Sequence, residues 1–144
     1  MTLIVDASVA LKWYLADEPY AAEARSILQS GEALIAPELV IAETCNAAWR
    51  GVRVGRIDPI QAAEIARSLP HMFGTLIGGS ALAERAMAIA FELDDAVCDC
   101  FYLAAAEASA APLITADNRL LRKIRNTIWA ANVQRLIDQR PVMR

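Results

Sequence analysis

Leu3-Ile4-Val5-Asp6-Ala7-Ser8 is the stretch that decides how this chain of 144 residues is read. Three apolar residues in a row, two of them β-branched, are the pattern of a short strand buried on both faces. An aspartate stands where the strand runs out, and a helix-compatible segment from Ala7 to Leu15 follows at once. Open α/β sheets bind their ligands beyond the carboxyl ends of the strands, so Asp6 holds a ligand position. It fits a plainer role equally well, because aspartate is favoured as the N-cap of a helix. How the other carboxylates are placed weighs between the two.

Outward from that strand, Tyr20 to Gln29 reads as a helix ended by Ser30-Gly31, and Leu34-Ile35-Ala36 as a second strand closed by Pro37. Proline is tolerated at the first helical position, so a third helix is expected from Pro37 to about Arg50. Asp58-Pro59 opens a fourth, reaching Ser68, and Met72 to Ile77 is a third strand interrupted by Gly74. Ser80 to Leu93 places Leu82, Ala86, Ile89, Ala90 and Leu93 on one helical stripe. Asp95 is read as the N-cap of a helix from Ala96 to Ser109. Pro112 to Thr115 forms a fourth strand that ends at Ala116-Asp117. A basic helix, Asn118 to Arg125, an edge strand at Thr127-Ile128-Trp129 and a short terminal helix complete the chain. Strands alternating with helices predict an α/β fold with a short, mostly parallel sheet, in one domain over residues 1–144.

The composition narrows the class. The chain is 56% hydrophobic and carries no low-complexity tract, as a packed globule requires. No apolar run approaches the roughly 18 residues of a membrane span, and the opening strand is unlike a secretory leader. Three cysteines give no paired framework and suit a reducing cytoplasm. Cys98 and Cys100 flank Asp99, but His71 is the one histidine, so a zinc site lacks ligands and both cysteines are expected as small buried hydrophobes. Charge is uneven: residues 1–114 carry 7 basic and 15 acidic side chains, and residues 115–144 carry 7 and 2. An acidic body beside a basic stretch suits a cation in one place and a phosphate backbone next to it, or simply a solvated surface.

Four carboxylates stand out. Asp117 ends the fourth strand as Asp6 ends the first, which puts both on one edge of a parallel sheet. Glu43 lies within the third helix among Leu39, Val40, Ile41, Ala42, Ala47 and Ala48, with Asn46 and Arg50 as its helical neighbours. Asp99 opens a helix that is otherwise almost all apolar, and an unpaired buried carboxylate costs several kcal/mol. Arg50 and Lys12 are the nearest bases by periodicity, too few to pair all four. Converging carboxylates about 4 Å apart repel by roughly 4 kcal/mol per pair at an effective dielectric of 20. A hard divalent cation relieves this, and oxygen ligands without histidine or cysteine select Mg²⁺ or Mn²⁺. Metal-assisted hydrolysis of a phosphodiester is the chemistry that such a site supports.

Taken together, LIVDAS (residues 3–8), APELVIAETCNAAWR around Glu43, VCDCFYLAAAE around Asp99 and LITADNRL around Asp117 resemble the four motifs of the PIN-domain ribonucleases. The likeness runs from residue 3 to about 130 in the family's order and is strongest to VapC-type toxins of toxin–antitoxin pairs. It implies a three-layer α/β/α fold in which Asp6, Glu43, Asp99 and Asp117 bind Mg²⁺ or Mn²⁺. It further implies an RNA substrate, a homodimer, and a small DNA-binding antitoxin that blocks the site. Ser8, Thr115 and Asn46 match supporting positions. The family usually has an aromatic before the third aspartate where this chain has Cys98, which is a change of packing.

Other polar residues have two readings each. Lys12, Arg50 and Arg119 are candidates to contact substrate phosphate, with an exposed or charge-balancing role as the other reading of Lys12 and Arg50. Arg119, Arg122, Lys123 and Arg125 form a basic face that suits an RNA backbone or solvent. Asp94-Asp95 adds an acidic pair that either caps the next helix or supplements the ligands, with the cap favoured. Trp13, Tyr14 and Trp49 suit the core more than a partner's groove. Against a metal-dependent endoribonuclease stands a catalytically silent PIN-like module that works through its protein partner. An aspartyl phosphotransferase is disfavoured because Ser8 stands where a second aspartate is wanted, and a nucleotide-binding domain because no Gly-rich phosphate loop follows the first strand.

Overall fold

The computed structural model describes residues 1–139 of the chain. Residues 140–144, the end of the basic stretch, lie outside the described residues. Five strands, β1 (Thr2–Val5), β2 (Ala33–Pro37), β3 (Thr75–Ile77), β4 (Leu113–Thr115) and β5 (Val133–Arg135), form one sheet in the order β3-β2-β1-β4-β5. Every pairing is parallel, so the sheet is parallel throughout. Seven α-helices flank it: α1 (Ala7–Ala10), α2 (Ala21–Gln29), α3 (Leu39–Arg53), α4 (Pro59–Ser68), α5 (Gly79–Leu93), α6 (Val97–Ser109) and α7 (Asn118–Ile124). The result is a three-layer α/β/α architecture.

Strand burial follows from the apolar triplets. Ile4, Val5, Leu113 and Ile114 are fully enclosed, as central parallel strands covered on both faces must be. From β1 the chain winds outward through β2 to β3, then returns through α5 and α6 to place β4 on the other side of β1. The β1/β4 junction is therefore where the winding reverses, the crevice in which open parallel sheets bind ligands. Asp6 and Asp117 follow these two strands.

Local expectations fail where tertiary structure competes. Pro37 stays in β2, opposite Ile77, and Glu38 N–H donates to the Ile77 carbonyl at 2.8 Å, so α3 begins only at Leu39. Tyr20 takes a left-handed backbone, φ 62°, and α2 starts after it. The first helix stops at Ala10 and tightens into a 3-10 turn over Leu11–Trp13. The same tightening over Leu69–Met72 shortens the third strand to Thr75–Ile77. Thr127 to Trp129 is no strand: Thr127 caps a 3-10 turn, Ile128–Asn132, that buries Trp129, and β5 follows it as the edge strand. Of the short terminal helix expected, the described residues show a 3-10 turn, Leu136–Asp138, and the rest of that stretch lies outside them.

The aromatics divide. Trp13 is core, its ring against Phe73 with centroids 5.6 Å apart and its indole N–H donating to the Ala24 carbonyl. Tyr14 is half-buried and hydrogen-bonds Ser68 at 2.7 Å. Trp49 is exposed and carries the Arg53 guanidinium over its ring.

Candidate functional site

Asp6 caps a helix and also lies in the crevice. It is the N-cap of α1, accepting from Val9 N–H at 3.3 Å. Its carboxylate also lies at the β1/β4 junction, 6% exposed, with Ser8 Oγ donating to Oδ1 and Thr115 Oγ1 donating to Oδ2, each at 2.5 Å. The two hydroxyls are themselves fixed by the β4 loop. Ser8 Oγ accepts from Ala116 N–H and Thr115 Oγ1 from Asp117 N–H, both at 3.0 Å. Hydrogen bonds favour the ionised carboxylate, yet burial outweighs them and pushes the Asp6 carboxyl up to about 6, with the nearby Asp117 charge adding to the rise.

Asp117 repeats the arrangement on the neighbouring strand. It caps α7, Oδ1 accepting from Arg119 N–H at 2.9 Å and Leu120 N–H at 3.3 Å. Asp99 lies in the first turn of α6, and both of these carboxylates reach one base. Arg119 Nη2 donates to Asp99 Oδ2 and stands 3.7 Å from Asp117 Oδ2, while Nη1 donates to Asp95 Oδ1 at 2.9 Å. Burial raises the Asp99 carboxyl against the downward pull of this guanidinium, and the same contacts raise Arg119.

Glu43 is tied in from α3 by Tyr102 of α6, whose phenol donates to Oε1 at 2.5 Å. Burial first, and then this bond, raise the Tyr102 phenol, and the charges of Glu43 and Asp6 add to the rise. Cys98, beside Glu43 and Asp99, is exposed rather than buried, because α6 turns only its later residues, from Cys100 on, into the core.

The structure thus links Asp6, Ser8, Thr115, Asp117, Asp99 and Arg119 through direct contacts, while Glu43 is held apart from them by Tyr102. Asn46 and Arg50 are exposed on α3 and Lys12 is buried in the turn after α1, and none of them bonds a carboxylate of the cluster. Asp95 is not the cap expected of it. Ala96 is the N-cap residue of α6 and makes no side-chain cap bond, whereas Asp95 accepts from Ala96 N–H at 2.8 Å and from Arg119. Tyr102, the pairing role of Arg119 and the contact between Arg119 and Asp95 were not singled out from the sequence. Asp95 and Arg119 lie 24 residues apart, and Tyr102 has the pattern of any core aromatic. One signal was present: Arg119, two residues after Asp117, is the nearest base in sequence to any of the four carboxylates.

Among the described residues no three histidine, cysteine or acidic side chains form a ready metal cage. The donor set nevertheless suits a hard cation. It is all oxygen, Asp6 remains undercompensated by neutral donors, and the outer carboxylates already draw a cationic side chain among them.

A PIN domain family model matches residues 3–126. Among curated proteins none matches. Among solved structures the chain is similar to PAE2754 from Pyrobaculum aerophilum, at 26% identity and TM-score 0.71, covering 96% of this chain and 95% of that one. It is also similar in fold to a toxin–antitoxin complex from Klebsiella pneumoniae, at 17% identity and TM-score 0.63, covering 92% and 95%. VapBC2 from Rickettsia felis, bound to a DNA fragment from its promoter, is similar at 14% identity and TM-score 0.65, covering 94% and 98%.

Proposed function

The chain belongs to the PIN domain family, and from that premise we propose that it is a metal-dependent endoribonuclease, the toxin of a toxin–antitoxin pair. PIN domains are generally nucleases. The observation that carries the reading to this chain is Asp6, a buried carboxylate held by two hydroxyls at the strand crevice, with Asp117 next to it through Thr115 and Asp99 joined to Asp117 by Arg119. The toxin–antitoxin assemblies of similar fold from Klebsiella pneumoniae and Rickettsia felis support a small DNA-binding antitoxin as partner. An RNA substrate, a homodimer and a cytoplasmic setting belong to the same proposal.

In this reading Asp6, Glu43, Asp99 and Asp117 hold Mg²⁺ or Mn²⁺. When bound, such a cation supplies Lewis-acid activation of water and neutralises charge that develops on a phosphodiester, giving 5′-phosphate and 3′-hydroxyl ends. The protein's part is to hold its oxygens still. Ser8 and Thr115 fix both oxygens of Asp6, and Tyr102 fixes one oxygen of Glu43. Arg119 Nη2 lies beside Asp99 and Asp117, within reach of a substrate phosphate at the same edge.

One observation favours a second reading: with Arg119 already neutralising the outer carboxylates, the chain could serve as a silent binding module. Purified protein, stripped of any partner and given a mixed RNA pool, decides between them. Cleavage with Mg²⁺ or Mn²⁺ that EDTA abolishes, and that folded Asp6→Asn and Asp99→Asn variants lack, supports the nuclease. No cleavage by the wild type supports the module.

A further inference from the structure

Asp95 is the most enclosed carboxylate on the open side of the site, its side chain 4% exposed. Its Oδ2 is buried without a hydrogen-bond partner among the described residues, so its charge depends on Oδ1 alone, where Ala96 N–H and Arg119 Nη1 both donate. A buried carboxylate compensated on one oxygen holds its cation firmly. Arg119 itself is 54% exposed, so its guanidinium can leave without opening a void in the core. Its two terminal nitrogens reach three carboxylates on three separate segments, Asp95 before α6, Asp99 within α6 and Asp117 before α7.

A divalent cation at Asp99 and Asp117 would claim the oxygens that Nη2 contacts. Guanidinium and cation would then stand within a few ångströms, and like charges at that distance repel strongly even at an effective dielectric of 20. The two cannot share the cluster in this arrangement. We propose that Arg119 is an internal counter-cation, anchored by Asp95, that a divalent cation must displace from Asp99 and Asp117 before the site can work. Displacement from Asp99 and Asp117 releases Nη2 at the rim while Nη1 stays on Asp95, which turns one arm of the clamp into a donor for a substrate phosphate. Cation loading and the freeing of a phosphate-binding side chain become one event. The inference rests on the carboxylates being a divalent-cation site.

Mn²⁺ binding followed by the electron paramagnetic resonance of the free ion tests it without reference to cleavage. Thermal melts in EDTA show which variants are folded. Arg119→Ala is expected to bind Mn²⁺ about tenfold more tightly than wild type, the ratio of one charge-assisted hydrogen bond discounted for exposure. Arg119→Lys, which keeps the charge but loses the fork, is expected in between. Asp95→Asn loosens the anchor and is expected to tighten Mn²⁺ binding by a smaller factor. Equal affinity in wild type and Arg119→Ala overturns the proposal while leaving the cation site intact. Weaker binding by Asp95→Asn overturns the anchor, since Asp95 would then be a ligand. Absence of Mn²⁺ binding in wild type, unchanged by Asp99→Asn, removes the cation site itself and the proposal with it.

Discussion

The inner and outer halves of the site solve one electrostatic problem in different ways. Inside, Asp6 is enclosed by strands and compensated by neutral groups, the hydroxyls of Ser8 and Thr115 and one backbone N–H. Outside, Asp99 and Asp117 are partly open and are compensated by the full charge of Arg119. Neutral donors relieve part of a desolvation penalty and leave the charge in place, which is why the Asp6 carboxyl still rises to about 6. A guanidinium cancels the charge and must be removed before another cation gains from it. The inner half thus keeps its charge and the outer half has its charge cancelled; on the function proposed, the first is open to a cation and the second is plugged by one. Thr115 joins them, since its hydroxyl donates to Asp6 and accepts from the N–H of Asp117.

Removing the inner charge should break the comparison most severely. Asp6→Asn is expected to lower RNA cleavage by at least about a thousandfold while raising the melting temperature in EDTA, because a buried charge is gone. Cleavage assays and melts on one preparation check both directions together.

The stability part has a definite pH signature. The folded-state value for Asp6 lies above the unfolded one of 3.8, so the folded state binds the proton more tightly. Its contribution is fully present below about pH 4 and is lost as pH rises through about 6, roughly 3 kcal/mol across that window at most. Urea unfolding of wild type and Asp6→Asn at pH 4 and pH 7, in EDTA, should show wild type losing stability relative to the variant as pH rises.

The link between the halves should matter next. Thr115→Val leaves Asp6 Oδ2 and Asp117 N–H each short of a partner, and is expected to cost about 2 kcal/mol and to reduce cleavage by about ten- to a hundredfold. Valine keeps the shape, so a loss near zero would show that Ser8 alone suffices.

The smallest effect is expected at Tyr102→Phe, which frees Glu43 without emptying the core. About 1 kcal/mol of stability and a few-fold loss of Mn²⁺ affinity are expected. Unchanged affinity would reduce Tyr102 to a packing residue.

Legibility from the sequence followed the same division. β1, β2 and β4 are readable in Leu3-Ile4-Val5, Leu34-Ile35-Ala36 and Leu113-Ile114-Thr115, because strands covered on both faces need unbroken apolar runs. β5 is Val-Gln-Arg at the sheet edge, mostly solvated, and carries no such signal, whereas Thr127-Ile128-Trp129 looks like a strand but bends to bury Trp129. At the site, strand ends and a charged residue on an apolar helix pointed to Asp6, Asp117 and Asp99. The base that pairs with Asp99 did not follow, since helical spacing suggests Arg50 or Lys12 and knows nothing of a contact across 20 residues. Asp95 followed the local rule for caps, and a distant guanidinium overrode it.

The bond between Thr115 and Asp6 closes a span of 109 residues, and that span sets a schedule. A ribosome delivers Asp6, Glu43 and Asp99 before either Thr115 or Asp117 exists. A chain interrupted before β4 therefore carries three of the four carboxylates and holds the first of them on one oxygen only, through Ser8 and Val9, with one wall of its crevice missing. On the function proposed, the crevice that holds Asp6 is complete only once β4 has been made.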